Sequence, residues 1–113
     1  MVNIFDDLAG VGLPVYQQGT APKELETEFL TVWEDPSDDI LHADNKPQQM
    51  RQTWTLIFYT KNAQNIYSGL LTVIKYLKAK NYIINGQGGD YAGSWEGYDA
   101  RSVDVAKIVN LEV

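Results

Sequence analysis

Hydrophobic positions recur along this chain with two different periods, and the switches between them mark out its elements. Residues 3 to 9 open on Asn3, place Asp6 and Asp7 in what would be a first turn, and put Ile4, Phe5 and Leu8 on one helical face. That pattern predicts a short amphipathic helix ending near Gly10 or Gly12. Leu13, Pro14, Val15 and Tyr16 read as a brief extended segment, because Pro14 excludes helix for itself and disfavours it for Leu13. A short or edge strand is expected there. After the turn-like Gly19, Thr20, Ala21 and Pro22, the run from Glu28 to Trp33 is dense in aromatic and β-branched residues and predicts a strand.

Residues 34 to 48 hold two prolines and five acids with no apolar period, and predict a loop or a hairpin tip leaning into solvent. From Met50 to Thr60 the alternation resumes, with Trp54, Leu56 and Phe58 on one face and Thr53, Thr55, Ile57 and Tyr59 on the other. The apolar residues on the second face, Ile57 and Tyr59, point to a central strand. Ile66, Leu70, Val73, Ile74 and Leu77 then repeat at helical spacing behind Asn62, a candidate N-cap, and predict the principal helix of about 17 residues. Lys75, Lys78 and Lys80 complement its C-terminal dipole, and Asn81 suits the left-handed residue that stops it.

Tyr82 to Asn85 predicts a short strand, and the five glycines between Gly86 and Gly97 predict a loop or loose hairpin connection. Arg101 to Leu111 alternates again, with Val103, Val105, Val109 and Leu111 on one side. Lys107 falls on that side, which calls for a bulge or an edge position. The order helix, strand, strand, strand, helix, strand, strand predicts an α+β fold: a mostly antiparallel β-sheet with one main helix and a short N-terminal helix packed on one face. No internal repeat or boundary divides the 113 residues, so residues 1–113 are read as one domain.

Composition narrows the function classes. At 44% hydrophobic and 21% charged, with no apolar run near 20 residues, the chain matches neither a disordered nor a membrane-spanning class. The first residues lack the basic and apolar regions of a signal peptide, so residence in the cytosol is expected. The absence of cysteine removes disulfides, thiolate metal sites and a cysteine nucleophile together. A net charge of −6 disfavours collection on nucleic acid or anionic membranes. The charge is also lopsided: residues 1 to 46 carry ten acids and two bases, whereas residues 47 to 113 carry five acids and seven bases. One carboxylate-rich solvated surface would account for that split. So would an acidic face of one copy meeting a more basic face of the next.

Candidate chemistry is sparse. His42, the single histidine, lies among Asp35, Asp38, Asp39 and Asp44, which invites a metal hypothesis, but the spacing is not that of a calcium loop. Gly86, Gln87, Gly88 and Gly89 match a phosphate loop in composition alone, without the lysine and helix start that hold an anion. The carboxylates sit in polar segments with nothing to raise a pKa, so no acid/base pair emerges. Trp95 and Tyr98, in a glycine-rich segment with few apolar neighbours, suit contact with a partner or another copy. A structural or binding subunit is expected rather than an enzyme, with no cofactor, metal or catalytic residue.

Taken together, several segments resemble the small tail proteins of long-tailed bacteriophages and prophages. They are Leu13 to Gln17, Glu28 to Trp33, Thr53 to Asn62, the helix, and a closing Tyr98-x-x-Arg101-Ser102-Val103-Asp104-Val105 strand. Within those, the chain is most similar to the tail terminator, or tail-to-head joining, group. The resemblance spans most of residues 13 to 109 and rests on element order and the aromatic strand pattern. It implies an α+β fold and a homo-oligomeric ring, hexameric as a rule, that caps the tail tube and meets the head connector protein in the virion tail. DNA would pass through without specific binding, and no membrane is involved. On this resemblance the acidic segment from Glu34 to Lys46 corresponds to a loop used for contacts with the tube or the lumen. The candidate interface residues are Asp35, Asp38, Asp39, His42, Asp44, Arg51, Trp95 and Tyr98. Two other readings stay open: a head-completion or connector-adaptor protein, and an acidic DNA mimic, which would need its carboxylates on a rigid surface rather than in a proline-containing loop.

Overall fold

Asn3 caps the first helix as its side chain suggests. In the computed structural model, which describes residues 3–17, 27–43, 46–85, 90–91 and 97–110, Asn3 Oδ1 accepts a 3.0 Å bond from the Phe5 amide and opens α1 (Ile4–Leu8). Ile4 and Leu8 are buried and Phe5 is exposed. Edge strand β1 (Val15–Gln17) follows, then two long strands, β2 (Glu28–Ala43) and β3 (Lys46–Thr60). After a 3-10 turn over Ala63–Asn65 come α2 (Ile66–Ala79), β4 (Ile83–Ile84), β5 (Asp90–Tyr91) and β6 (Asp99–Asn110). The six strands form one sheet in the order β1-β2-β3-β6-β4, with β5 also on β6, and only the β1–β2 pairing is parallel.

The expected α+β architecture holds, with β3 at the centre. Leu30 and Val32 of β2, Trp54, Leu56 and Phe58 of β3, and Val103 and Val105 of β6 form one apolar face. Against it pack Ile4 and Leu8 of α1 and Leu70, Val73, Ile74 and Leu77 of α2, so both helices cover the same side. Each such fully buried side chain is worth about 1.5–3 kcal/mol of transfer free energy. On the other face an apolar cluster forms at one end of the sheet, where Phe29 stacks on its cross-strand partner Tyr59 at 4.7 Å. Ile57 and Ala100 join that cluster, and Tyr16, Trp33 and Tyr98 pack on it.

One local expectation is overturned and two that were left open are resolved. Asn62 does not cap the α-helix: its Oδ1 accepts from the Gln64 amide at 3.1 Å and opens the 3-10 turn, leaving α2 with 14 residues. Of the two accommodations expected for Lys107, a bulge or an edge, the edge holds: β6 pairs with β3 in unbroken register, but its pairing with β4 stops at Ala106, so at Lys107 that side of β6 has no partner strand among the described residues. The Lys107 ammonium reaches off the sheet to Lys80 O at the end of α2 (3.1 Å) and lies over the Tyr82 ring. The helix stop is as expected: Asn81 has φ 70°, and the Tyr82 amide bonds back to Leu77 O at 3.1 Å.

The third concerns residues 34 to 48, read as a loop or a hairpin tip: the hairpin holds, and residues 34–43 and 46–48 are paired strand in the far part of a long antiparallel hairpin, with Asp38 opposite Arg51, His42 opposite Pro47 and Ala43 opposite Lys46. Pro36 is accommodated because the register slips between Asp35 and Asp38, where the missing N–H costs no ladder bond. Two further slips, between Asp39 and Leu41 and between Leu41 and His42, break the alternation that a regular strand would show. The described pairing of β6 ends opposite Gln49, so among the described residues the hairpin beyond that point is a two-stranded arm, and the molecule measures 53 × 25 × 25 Å.

Candidate functional site

Of the eight candidate interface residues, the structure brings only some within description. The backbones of Asp38, Asp39 and His42 lie on the arm, while Asp44 and Trp95 fall outside the described residues. The Gly86–Gly89 segment, read as a possible phosphate loop and set aside, also falls outside them. Arg51 is exposed on β3 at the arm's root, opposite Asp38 on one side and Ile108 on the other. Asp35 is half-buried and accepts two bonds, from Trp33 Nε1 at 3.1 Å and from the Thr55 hydroxyl at 3.0 Å.

Asp35 therefore belongs to a small polar array on the sheet face away from the helices. Thr55 Oγ1 lies 3.0 Å from Asp104 Oδ1 as well. A hydroxyl has one proton to give, so it satisfies one carboxylate at a time and the other faces its lone pairs. No group of three or more metal-ligating side chains occurs among the described residues, and the array does not make one.

Tyr98 is not the exposed loop aromatic that its glycine-rich surroundings suggest. Its ring meets Phe29 edge-on at 5.4 Å and carries Lys61 Nζ at 5.2 Å from its centroid, so it helps to close the second apolar cluster. The signal that misled was composition; what decided its place was the next residue, Asp99, which begins β6 opposite Thr60.

The surface that sequence reasoning missed is on α2. Outside the buried stripe, Tyr67 is 65% exposed and Leu71 46% exposed, and Lys75 and Lys78 continue the same side of the helix toward its end. Tyr67, Leu70, Leu71 and Ile74 line a shallow groove of about 120 Å³ with Arg101 of β6. The Arg101 guanidinium lies 4.9 Å from the Tyr67 ring centroid. Two cues for this surface were in the sequence: an apolar pair at i and i+4 off the buried stripe, and a segment from Ala63 to Ala79 without an acid.

A second groove, polar and about 190 Å³, runs along the opposite side of α2 between Glu28, Asn65, Ser68, Gly69 and Thr72. Its groups are already engaged. Glu28 Oε2 takes the Thr60 hydroxyl at 2.9 Å and Asn65 Nδ2 at 3.3 Å, and the Ser68 and Thr72 hydroxyls donate to helix carbonyls. A nucleophile needs a base within hydrogen-bond reach, and neither hydroxyl has one among these partners.

At the far end of α2 a buried cluster holds the helices to the sheet. Tyr82 donates to Asp7 Oδ2 at 2.5 Å, packs edge-on against Trp54, and sits under Lys107 Nζ, which is 3.9 Å from Asp7. Burial pushes the Tyr82 phenol far above its ordinary range, and the Asp7 carboxylate beside it adds to the shift. The cluster links α1, the end of α2, β3 and β6 and orients no group toward solvent chemistry.

No family model matches the chain, and no curated protein matches it. Among the described residues no helix is long and apolar enough to cross a membrane.

Proposed function

We propose that this protein is a structural subunit of a long-tailed phage virion, a tail terminator or tail-completion protein that assembles as a hexameric ring at the end of the tail tube and forms the joint to the head connector. The observation that carries the reading is the arm: a paired, acid-rich hairpin standing clear of a small helix-backed sheet. A monomer gains little from such an arm, because a two-stranded ribbon without a covering layer is marginal alone. A subunit that must grip neighbours gains a lever. The resemblance in element order and aromatic strand pattern supplies the virion setting. Acidic side chains toward a lumen would repel DNA and let it pass.

The test is assembly with and without the arm. Purified protein, mixed with tail tube protein and viewed by negative-stain microscopy, is expected to form rings or to cap tubes. A variant in which a two-residue turn replaces residues 39–49 keeps the described core and should fold but no longer cap. Monomers under every condition, with no tube binding, would sink the proposal. Retention on portal protein rather than tube would favour the head-completion or connector-adaptor role instead. One observation also revives the DNA mimic: the acids lie on paired strands rather than in a loop. Competition with DNA for a nuclease or polymerase would decide for it.

A further inference from the structure

We propose that the acidic arm of one copy docks on the exposed face of α2 of a second copy, in the groove formed by Tyr67, Leu71 and Arg101 and beside Lys75 and Lys78. The inference rests on the self-assembly reading above and names the two surfaces that would meet.

Charge is the first argument. From Glu34 to Ala43 the arm strand carries four acids and no lysine or arginine, with Ile40 and Leu41 among them. The segment from Ala63 to Ala79 carries two lysines and no acid, and Arg101 flanks its apolar groove. Lys75 and Lys78 make no ion pair among the described residues. An acidic strand with two aliphatic residues thus faces a basic helix with an exposed aromatic and an exposed leucine, a match in sign and in apolar content.

Geometry excludes the same copy as the donor to the Tyr67–Arg101 groove, whereas Lys78, near the helix end that Lys107 reaches opposite Gln52, lies close to the arm's own root. Arg101 lies opposite Phe58, whereas the arm stands free only beyond Gln49, nine residues further along β3. At the rise of a strand these positions are about 30 Å apart, and the arm points away from the groove. The occupant must come from another molecule. Because the arm leaves one end of the sheet and the groove lies toward the other, the contact is head-to-tail and closes into a ring if the rotation between copies allows.

Strand addition along the arm is a weaker alternative. The free edge of β2 carries Glu34, Asp35, Pro36, Asp38 and Asp39 and three register slips, the devices that keep strand edges from pairing with other chains.

The experiment is a charge swap. An arm variant, Asp38→Lys with Asp39→Lys, and a helix variant, Lys75→Glu with Lys78→Glu, are each placed in the full chain and sized by light scattering with and without tail tube protein. Each alone should weaken assembly at least tenfold. Mixing the two, or combining all four changes in one chain, should restore it, and added salt should reduce the difference. The chain has no cysteine, so Ile40→Cys and Leu71→Cys variants can be mixed under mild oxidation and should cross-link to each other far more than to themselves. Assembly at full strength in both charge variants, or a mixture that stays dissociated, overturns the docking while leaving ring formation intact. Loss of tube binding in the helix variant alone assigns the groove to the tube protein and overturns a second copy as occupant. A wild-type chain that never assembles overturns the self-assembly reading and the docking together.

Discussion

Gly69 sets how closely α2 approaches the sheet, and replacing it with alanine should destabilise the protein although the helix itself would gain. A Cβ built on Gly69 falls 2.7 Å from Phe58 Cε2 and 3.2 Å from Cε1, with Cζ nearer still. Phe58 is fully buried on the central strand and cannot step aside without displacing Leu30 or Arg101 on either side of it. Two effects oppose each other. Alanine is better than glycine in a helix interior by about 1 kcal/mol. Overpacking a well-filled core costs about 1–3 kcal/mol, and this contact, with three carbons of one buried ring crowding the added methyl, belongs at the upper end. The net expectation is a loss of about 1–2 kcal/mol, or a fall in Tm of about 4–8 °C for a chain of this size. Thermal and urea unfolding followed by circular dichroism would measure it. The compensating variant Gly69→Ala with Phe58→Leu removes the clashing ring carbons, and a double-mutant cycle should return at least 1 kcal/mol of favourable coupling. A Tm for Gly69→Ala equal to or above that of the wild type would refute the reasoning, because the helix would then be free to sit further from the sheet.

Two other changes probe groups that the fold holds at a cost. Thr31 Oγ1 is fully buried without a hydrogen-bond partner among the described residues, so the near-isosteric Thr31→Val should stabilise by about 1 kcal/mol, read as a raised urea midpoint at unchanged slope. Tyr82 titrates above its unfolded value near 10, so its contribution is intact below that pH and is lost as pH rises toward the folded value, at about 1.4 kcal/mol per pH unit. Tyr82→Phe should lose about 1 kcal/mol at pH 7 with the bond to Asp7, yet show a shallower fall between pH 10 and 11.5; parallel alkaline curves for the two proteins would contradict this.

Much of the fold was legible because burial imposes a period. Trp54, Leu56 and Phe58 had to alternate to face the helices, Ile66 to Leu77 had to repeat at helical spacing to face the sheet, and both patterns lie open in the sequence. The arm was legible only as one of two readings, a loop or a hairpin tip. Beyond Gln49 no third strand and no helix among the described residues selects one face, so its composition records solvent and charge rather than a period, and its register slips erase what alternation remained. Lys107 was legible in part, since the edge position that its charge called for is there. It occupies a position facing the helices, but its ammonium reaches a carbonyl at the end of α2, a partner fixed by tertiary placement and invisible to any local rule. Of the candidate site, the acidic half was visible as a charge run. The helical half, Tyr67 and Leu71, was hidden in a segment whose stronger apolar stripe absorbed the attention.

That division between covered and uncovered strand bears on assembly. Inside the body, β3 is hydrogen-bonded on both sides and packed on both faces around Ile57 and Phe58, so its position is fixed by everything around it. Past Gln49 the same strand has one neighbour among the described residues. A strand that passes from full cover to a single partner is held less firmly there than in the body of the sheet. Contacts made there are weak singly and gain strength when a template or ring closure raises the local concentration of the next copy. The proline, the acids and the slips along β2 are devices that suppress indiscriminate edge pairing, and under the proposed self-assembly they would leave side-chain docking as the route by which copies join.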